Sequence, residues 1–226
     1  MGLIHKNNQK AVYKIWLIFF ALLFLQQGLI SILSANSPPR LFGTVEFKTV
    51  LKDMPKWQRV LSAEKKNPTF TDQFHTLLPK NLAEKWQTIE KNFPSFSTQE
   101  KLKAVNMFFN QWPYRTDSSL FGLEDYWATP KEFLKKSGDC EDYAIIKFFA
   151  LKYLGIPEEQ MRIVVVKDTI RNLGHGVLAV YIDDNIYILD NLSNTPLSHT
   201  TIRNYQPAFS LNSQFRWAHL PVKKKK

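Results

Sequence analysis

Three residues of this 226-residue chain have the types and the order of a nucleophile, a base and an orienting acid: Cys140, His175 and Asp190. Cys140 is the chain's single cysteine. The thiolate is the reactive form of a thiol, and a helix N-terminus stabilises negative charge. Cys140 opens an apolar segment that reads as a central, buried helix to about Leu154, ended by Gly155 with Pro157 just beyond. A cysteine nucleophile needs an imidazole base, and the base needs a third group to orient it. His175 stands at the start of a predicted strand between Gly174 and Gly176, and Asp190 ends the next strand. Each has a plainer reading alone. A cysteine in an apolar helix is usually a small buried hydrophobe, a lone histidine is usually structural, and an aspartate after a strand is a turn residue. The three together, with the cysteine at the helix start, point to nucleophilic catalysis. His5, His75, His199 and His219 have no comparable setting.

Strand register decides whether His175 and Asp190 can meet. Side chains alternate, so His175 shares a face with Val177, Ala179 and Tyr181. A four-residue hairpin loop, Ile182 to Asn185, places Asp190 opposite Val177, about 7 Å along the strand from His175. A three-residue loop puts the two on opposite faces. The flanking glycines are expected to leave the imidazole uncovered for a substrate backbone.

Asp139, Glu141 and Asp142 surround Cys140. Three carboxylates beside a thiol disfavour the thiolate. Helix capping accounts for two of them, with Asp139 as N-cap and Asp142 in the first turn. A bound cation would neutralise all three, and hard oxygen ligands point to calcium. The spacing is not that of an EF-hand loop. On the chemistry alone both explanations stand.

The elements that must position these residues change character along the chain. Residues 44–115 read as helical, with Phe47, Val50, Leu51 and Met54 at helical spacing, then Trp57, Val60 and Leu61, then amphipathic segments Leu82–Phe93 and Thr98–Trp112. Ser97 and Glu100 form a capping-box pattern, and Pro113 ends that helix. Residues 116–130 read as a loop, with Pro130 starting a short helix over Lys131–Lys135. After the Cys140 helix, Met161–Val166, Gly176–Ile182 and Ile186–Leu189 are rich in Val, Ile and Tyr and read as strands. Helices first and an antiparallel meander after make an α+β fold.

Composition bounds the rest. Hydrophobic residues make up 44% and charged residues 22%, which excludes a disordered chain. One cysteine excludes an internal disulfide framework. Of the net charge of +10, three belong to Lys6, Lys10 and Lys14 and four to Lys223–Lys226, leaving three for the body. No basic stripe interleaved with aromatics exists, so no nucleic-acid partner is expected. Residues 1–35 combine a basic start with the eleven-residue apolar run Ile15–Leu25, the pattern of a signal peptide or signal anchor. Either one exports the domain, read as residues 36–222, ahead of a lysine tail at 223–226.

The blocks SGDCEDYAIIKFFALKYLGIP (137–157), GHGVLAVY (174–181) and ILDN (188–191) resemble the bacterial transglutaminase-like cysteine proteinases, in their LapG-type periplasmic branch. Asp125–Leu134 is similar to the segment before the cysteine in that family. The resemblance implies a papain-like, transglutaminase-like fold with a helical N-terminal lobe and an antiparallel sheet lobe. It implies Cys140 as nucleophile, His175 as base, Asp190 as its partner, and Asp139, Glu141 and Asp142 as calcium ligands, with Trp127 lining the cleft. It further implies a periplasmic endopeptidase that cuts the N-terminal region of a large biofilm adhesin and is sequestered by an inner-membrane cyclic di-GMP receptor of LapD type. Two other readings remain: a transglutaminase- or deamidase-type acyl transferase, and a non-catalytic exported interaction module.

Overall fold

A computed structural model describes residues 39–222. The expected export segment and lysine tail lie outside the described residues. Six helices and seven strands follow in order: β1 (Val45–Val50), α1 (Pro55–Lys66), α2 (Lys80–Asn92), α3 (Thr98–Phe109), α4 (Asp117–Phe121), α5 (Pro130–Lys136), α6 (Cys140–Tyr153), β2 (Met161–Asp168), β3 (Leu173–Ile182), β4 (Asn185–Asp190), β5 (Ser193–Ser198), β6 (Tyr205–Leu211) and β7 (Phe215–Leu220). The strands form one sheet, β1-β7-β6-β2-β3-β4-β5, antiparallel throughout. Among the described residues no helix is long and apolar enough to cross a membrane.

The helical layer packs on one face of the sheet. Trp57, Trp86, Phe108, Phe109, Phe133, Ile145 and Phe148 share a core with Ile163, Leu178, Val180 and Leu189. The alternate residues of the same strands, Val164, Val177, Ala179 and Ile188, join Leu41 and Tyr205 in a second cluster. Strand alternation thus divides β2–β4 between two apolar layers. Helix α6 is buried on most sides, as its composition predicts: Tyr143 to Phe148 have no exposed member.

Three capping boxes start helices where the chain must turn, that of α6 with Asp139 and Asp142. Ser97 and Glu100 cap α3, as their spacing predicts. Thr129 and Glu132 do the same for α5, whose first residue is Pro130.

One predicted helix is a strand. Phe47 and Val50 keep helical spacing, yet residues 45–50 pair with β7 from Val45↔Leu220 to Val50↔Phe215. Phe47 and Val50 are 53% and 62% exposed, so no buried stripe rewards a helix there. Ladder hydrogen bonds to β7 decide the conformation instead. The loop predicted over 116–130 also contains the one-turn α4.

Candidate active site

Helix α6 delivers Cys140 at its first residue, with Asp139 in extended backbone just before it. Strand β3 runs past that helix end. A Cβ on Gly176 would lie 2.9 Å from both Cα and N of Glu141. No real side chain fits there, so Gly176 lets β3 approach the α6 backbone closely. This corrects the sequence expectation in part: the space beside Gly176 is filled by α6, not kept open for a substrate, whereas a Cβ on Gly174 would meet nothing within 4 Å. The same approach sets Cys140 beside Gly176, whose amide favours the thiolate.

The β3–β4 hairpin settles the register. Ile182 pairs with Asn185 and Leu178 with Leu189, so the turn proper is Asp183-Asp184 and the same register places Asp190 opposite Val177. His175 and Asp190 share a face, as the four-residue spacing required. His175 Nε2 lies 2.9 Å from Asp190 Oδ1, both side chains buried. With Nε2–H donated to the carboxylate, Nδ1 is the nitrogen left to act as a base.

Asp190 is held from several sides. The Tyr205 hydroxyl donates to Oδ2 at 2.6 Å, and the Leu192 amide donates to Oδ1 at 3.0 Å. The Tyr205 ring lies 5.5 Å from the His175 ring, tilted by 59°. Burial pushes the Asp190 carboxyl up, but the hydrogen bond and charge of His175, then Tyr205 and Leu192, bring it below its ordinary value. Asn110, at the end of α3, donates to the main-chain oxygen of Asp190 at 3.0 Å. Tyr205 and Asn110 carry no sequence signal of this role: both depend on chain segments that only the fold brings to β4.

The acidic cluster is larger than the sequence suggested. Asp117, the first residue of α4, groups with Asp139 and Asp142 and also with Asp125 and Glu141, while Asp139 and Glu141 flank Cys140 in a third group; within each group one ligand atom from each member lies within 4.8 Å of the others. Asp142 is fully buried and accepts from the Ala128 amide at 2.6 Å and the Asp139 amide at 3.2 Å. Asp117 accepts from the Tyr126 amide at 2.5 Å. The 116–130 segment is therefore tied down by the acids themselves. Asp117 Oδ1 and Asp139 Oδ1 are buried without a hydrogen-bond partner among the described residues. Burial is the first cause that raises the three carboxyls, Asp117 to about 6, Asp139 to about 8 and Asp142 to about 9, with repulsion among the neighbouring acids adding to each. Capping alone does not explain orphaned buried carboxylate oxygens. A hard divalent cation fits them, because it uses oxygen ligands and cancels the repulsion.

Without such a charge the thiol is disfavoured as thiolate. Burial, then Glu141 and Asp139, push Cys140 well above the ordinary thiol range, and its Sγ lies 3.2 Å from Glu141 Oε2. Trp127 does not form an open wall. Its ring packs edge-on against Trp57 at 6.2 Å in the helical core, and its carbonyl accepts from Arg59. His199 and His219 are structural: His199 Nδ1 accepts from the Phe42 amide, and His219 bridges Thr44 and Ser210.

A thiol at the start of a central helix, a carboxylate-paired imidazole on the adjoining strand and an antiparallel sheet under helices fit a papain-like, transglutaminase-like fold. Residues 72–225 match the family profile of the bacterial transglutaminase-like cysteine proteinases, and the chain belongs to that family. Among solved structures it is similar to LapG of Legionella pneumophila, with 31% identity over 65% of this chain and 84% of that one and a TM-score of 0.56. The calcium-bound form of the same protein gives 30% identity over 70% and 87% of the two chains and a TM-score of 0.55. No match exists among curated proteins.

Proposed function

We propose that the chain is a calcium-dependent, exported cysteine endopeptidase in which Cys140 is the nucleophile, His175 the general base and acid, and Asp190 the orienting carboxylate. The observation that carries this reading is the buried His175–Asp190 pair, at 2.9 Å, with His175 on the strand that abuts the Cys140 end of α6. His175 Nδ1 takes the thiol proton, and Sγ attacks the scissile carbonyl. The tetrahedral intermediate collapses to a thioester as the imidazolium protonates the leaving amine. Water, deprotonated by His175, then hydrolyses the thioester and regenerates the thiol. Asp190 fixes the tautomer and stabilises the imidazolium that forms.

Asp139, Glu141, Asp142 and Asp117 are the residues that would hold calcium. When bound, calcium supplies positive charge that offsets the carboxylates raising the thiol. A calcium-bound and an EGTA-treated structure of LapG support calcium as the ion in this reading.

The substrate in this reading is the N-terminal region of a large biofilm adhesin in the periplasm, and the controlling partner is an inner-membrane cyclic di-GMP receptor. Incubating the full chain with the N-terminal fragment of a co-encoded adhesin tests it. Cleavage should require calcium and vanish in Cys140→Ala; cleavage by Cys140→Ala, or undiminished in excess EGTA, sinks the corresponding claim. Incorporation of hydroxylamine without peptide hydrolysis would favour acyl transfer instead.

A further inference from the structure

Lys147 is a buried cation in the middle of the central helix. It lies on α6 two turns beyond Cys140, between Ile146 and Phe148, and is 0% exposed. Lysine is almost never fully buried unless it is paired, because desolvating an ammonium group is costly. Its Nζ donates to Asn110 Oδ1 at 2.6 Å and lies 5.5 Å from the Tyr143 ring centre. A cation can donate only to the amide oxygen, so the Asn110 NH2 must face the other way. That NH2 donates to the main-chain oxygens of Asp190 at 3.0 Å and Ser193 at 3.1 Å, and to Asn194 Oδ1 at 3.2 Å. One side chain thus ties α3 and α6 to the turn between β4 and β5, the turn on which Asp190 sits.

We propose that Lys147, acting through Asn110, is a positioning residue that anchors the Asp190 turn and supplies the positive charge that keeps the Asp190 carboxylate ionised beside His175. The inference rests on the triad reading above and deepens it. Burial lowers the Lys147 ammonium to about 7, and the Asp190 charge is what opposes that fall. The groups facing Asp190 are His175, Tyr205 and, at longer range, Arg171. In the acid range Lys147 carries its proton, and its charge then resists protonation of Asp190.

The test uses the full chain with Lys147→Met, Lys147→Gln and Asn110→Ala. Cleavage of the adhesin fragment and alkylation of Cys140 by iodoacetamide are measured across pH, alongside thermal melting. In Lys147→Met, kcat should fall about tenfold to a hundredfold with KM little changed, as for a misplaced catalytic group. The acid limb of the cleavage profile should move up by about one pH unit, the shift expected when a nearby opposite charge is lost. Lys147→Gln keeps a donor to Asn110 and loses the charge, so its acid limb should move as well. Asn110→Ala keeps the charge and should lower kcat with a smaller displacement. An acid limb that stays in place in both Lys147 variants, whatever their rate or melting temperature, overturns the inference and leaves Lys147 as packing. If the wild type neither cleaves nor alkylates differently from a free thiol, the triad reading fails and takes the inference with it. If the wild type does both and the Lys147 variants match it, only the inference fails.

Discussion

Asp190 is pulled in two directions, and the balance makes its behaviour with pH predictable. Burial favours the neutral acid; donors from His175, Tyr205 and Leu192 favour the anion and win. A carboxyl held below its unfolded value of about 3.9 stabilises the fold above that value, and the contribution is lost as pH falls through the folded pKa. Asp190→Asn should flatten the acid side of the stability curve, read from urea melts at neutral and acidic pH. The same variant presents an NH2 or an amide oxygen where His175 needs a carboxylate, so kcat should drop about 10³- to 10⁴-fold. Tyr205→Phe removes one hydrogen bond to a charged group, worth about 1.5 kcal/mol, and should lower kcat about tenfold without unfolding the protein. Cys140, His175 and Asp190 were legible because their types and order are specific. Tyr205, Asn110, Lys147 and Asp117 were not, because nothing local distinguishes a tyrosine or asparagine that meets Asp190 from one that meets water.

Elements were legible where a buried face imposes a period. Helix α6 and strands β2–β4 follow their apolar patterns within a few residues, and α3 starts at the capping box that Ser97 and Glu100 announce. Strand β1 was misread because its outer side chains are exposed and its conformation is set by pairing with β7. Strands β5 and β6 contain Pro196 and Pro207, which weaken a strand reading from sequence. Pro207 pairs with Val166, where the β2–β6 register shifts, and Pro196 lies on an edge strand, both places where a missing donor is tolerated. The meeting of β3 with α6 gives a prediction at this scale. Gly176→Ala pushes a methyl against the Glu141 backbone, which cannot move like a side-chain end. It should cost about 1–3 kcal/mol in chemical denaturation, as overpacking does, and slow Cys140 alkylation. Gly174→Ala, with nothing within 4 Å of the added Cβ, should do neither.

For the whole molecule, the acidic cluster joins α4, the 116–130 segment and the start of α6 through Asp117, Asp139, Glu141 and Asp142. A cation bound there links parts that otherwise repel. Calcium at a hundred times its dissociation constant should stabilise the fold by about 2.7 kcal/mol, seen as a higher melting temperature that EGTA reverses. Asp117→Asn and Asp139→Asn should each reduce that gain; an undiminished gain in Asp117→Asn removes Asp117 from the ligand set. The net charge of +10 bears little on the site, since seven of the ten charges lie in the two terminal segments. The sequence by itself singled out Cys140, His175 and Asp190 as candidates, the acids flanking the thiol and the α+β class, because these follow from residue chemistry and short-range periodicity. Only the tertiary structure decided what Gly176 accommodates, which strands close the sheet, how Asp117 joins the acids and how Lys147 and Asn110 reach the Asp190 turn. Those depend on contacts between segments tens of residues apart, and such contacts are chosen by burial and strand pairing across the whole chain, which no local pattern records.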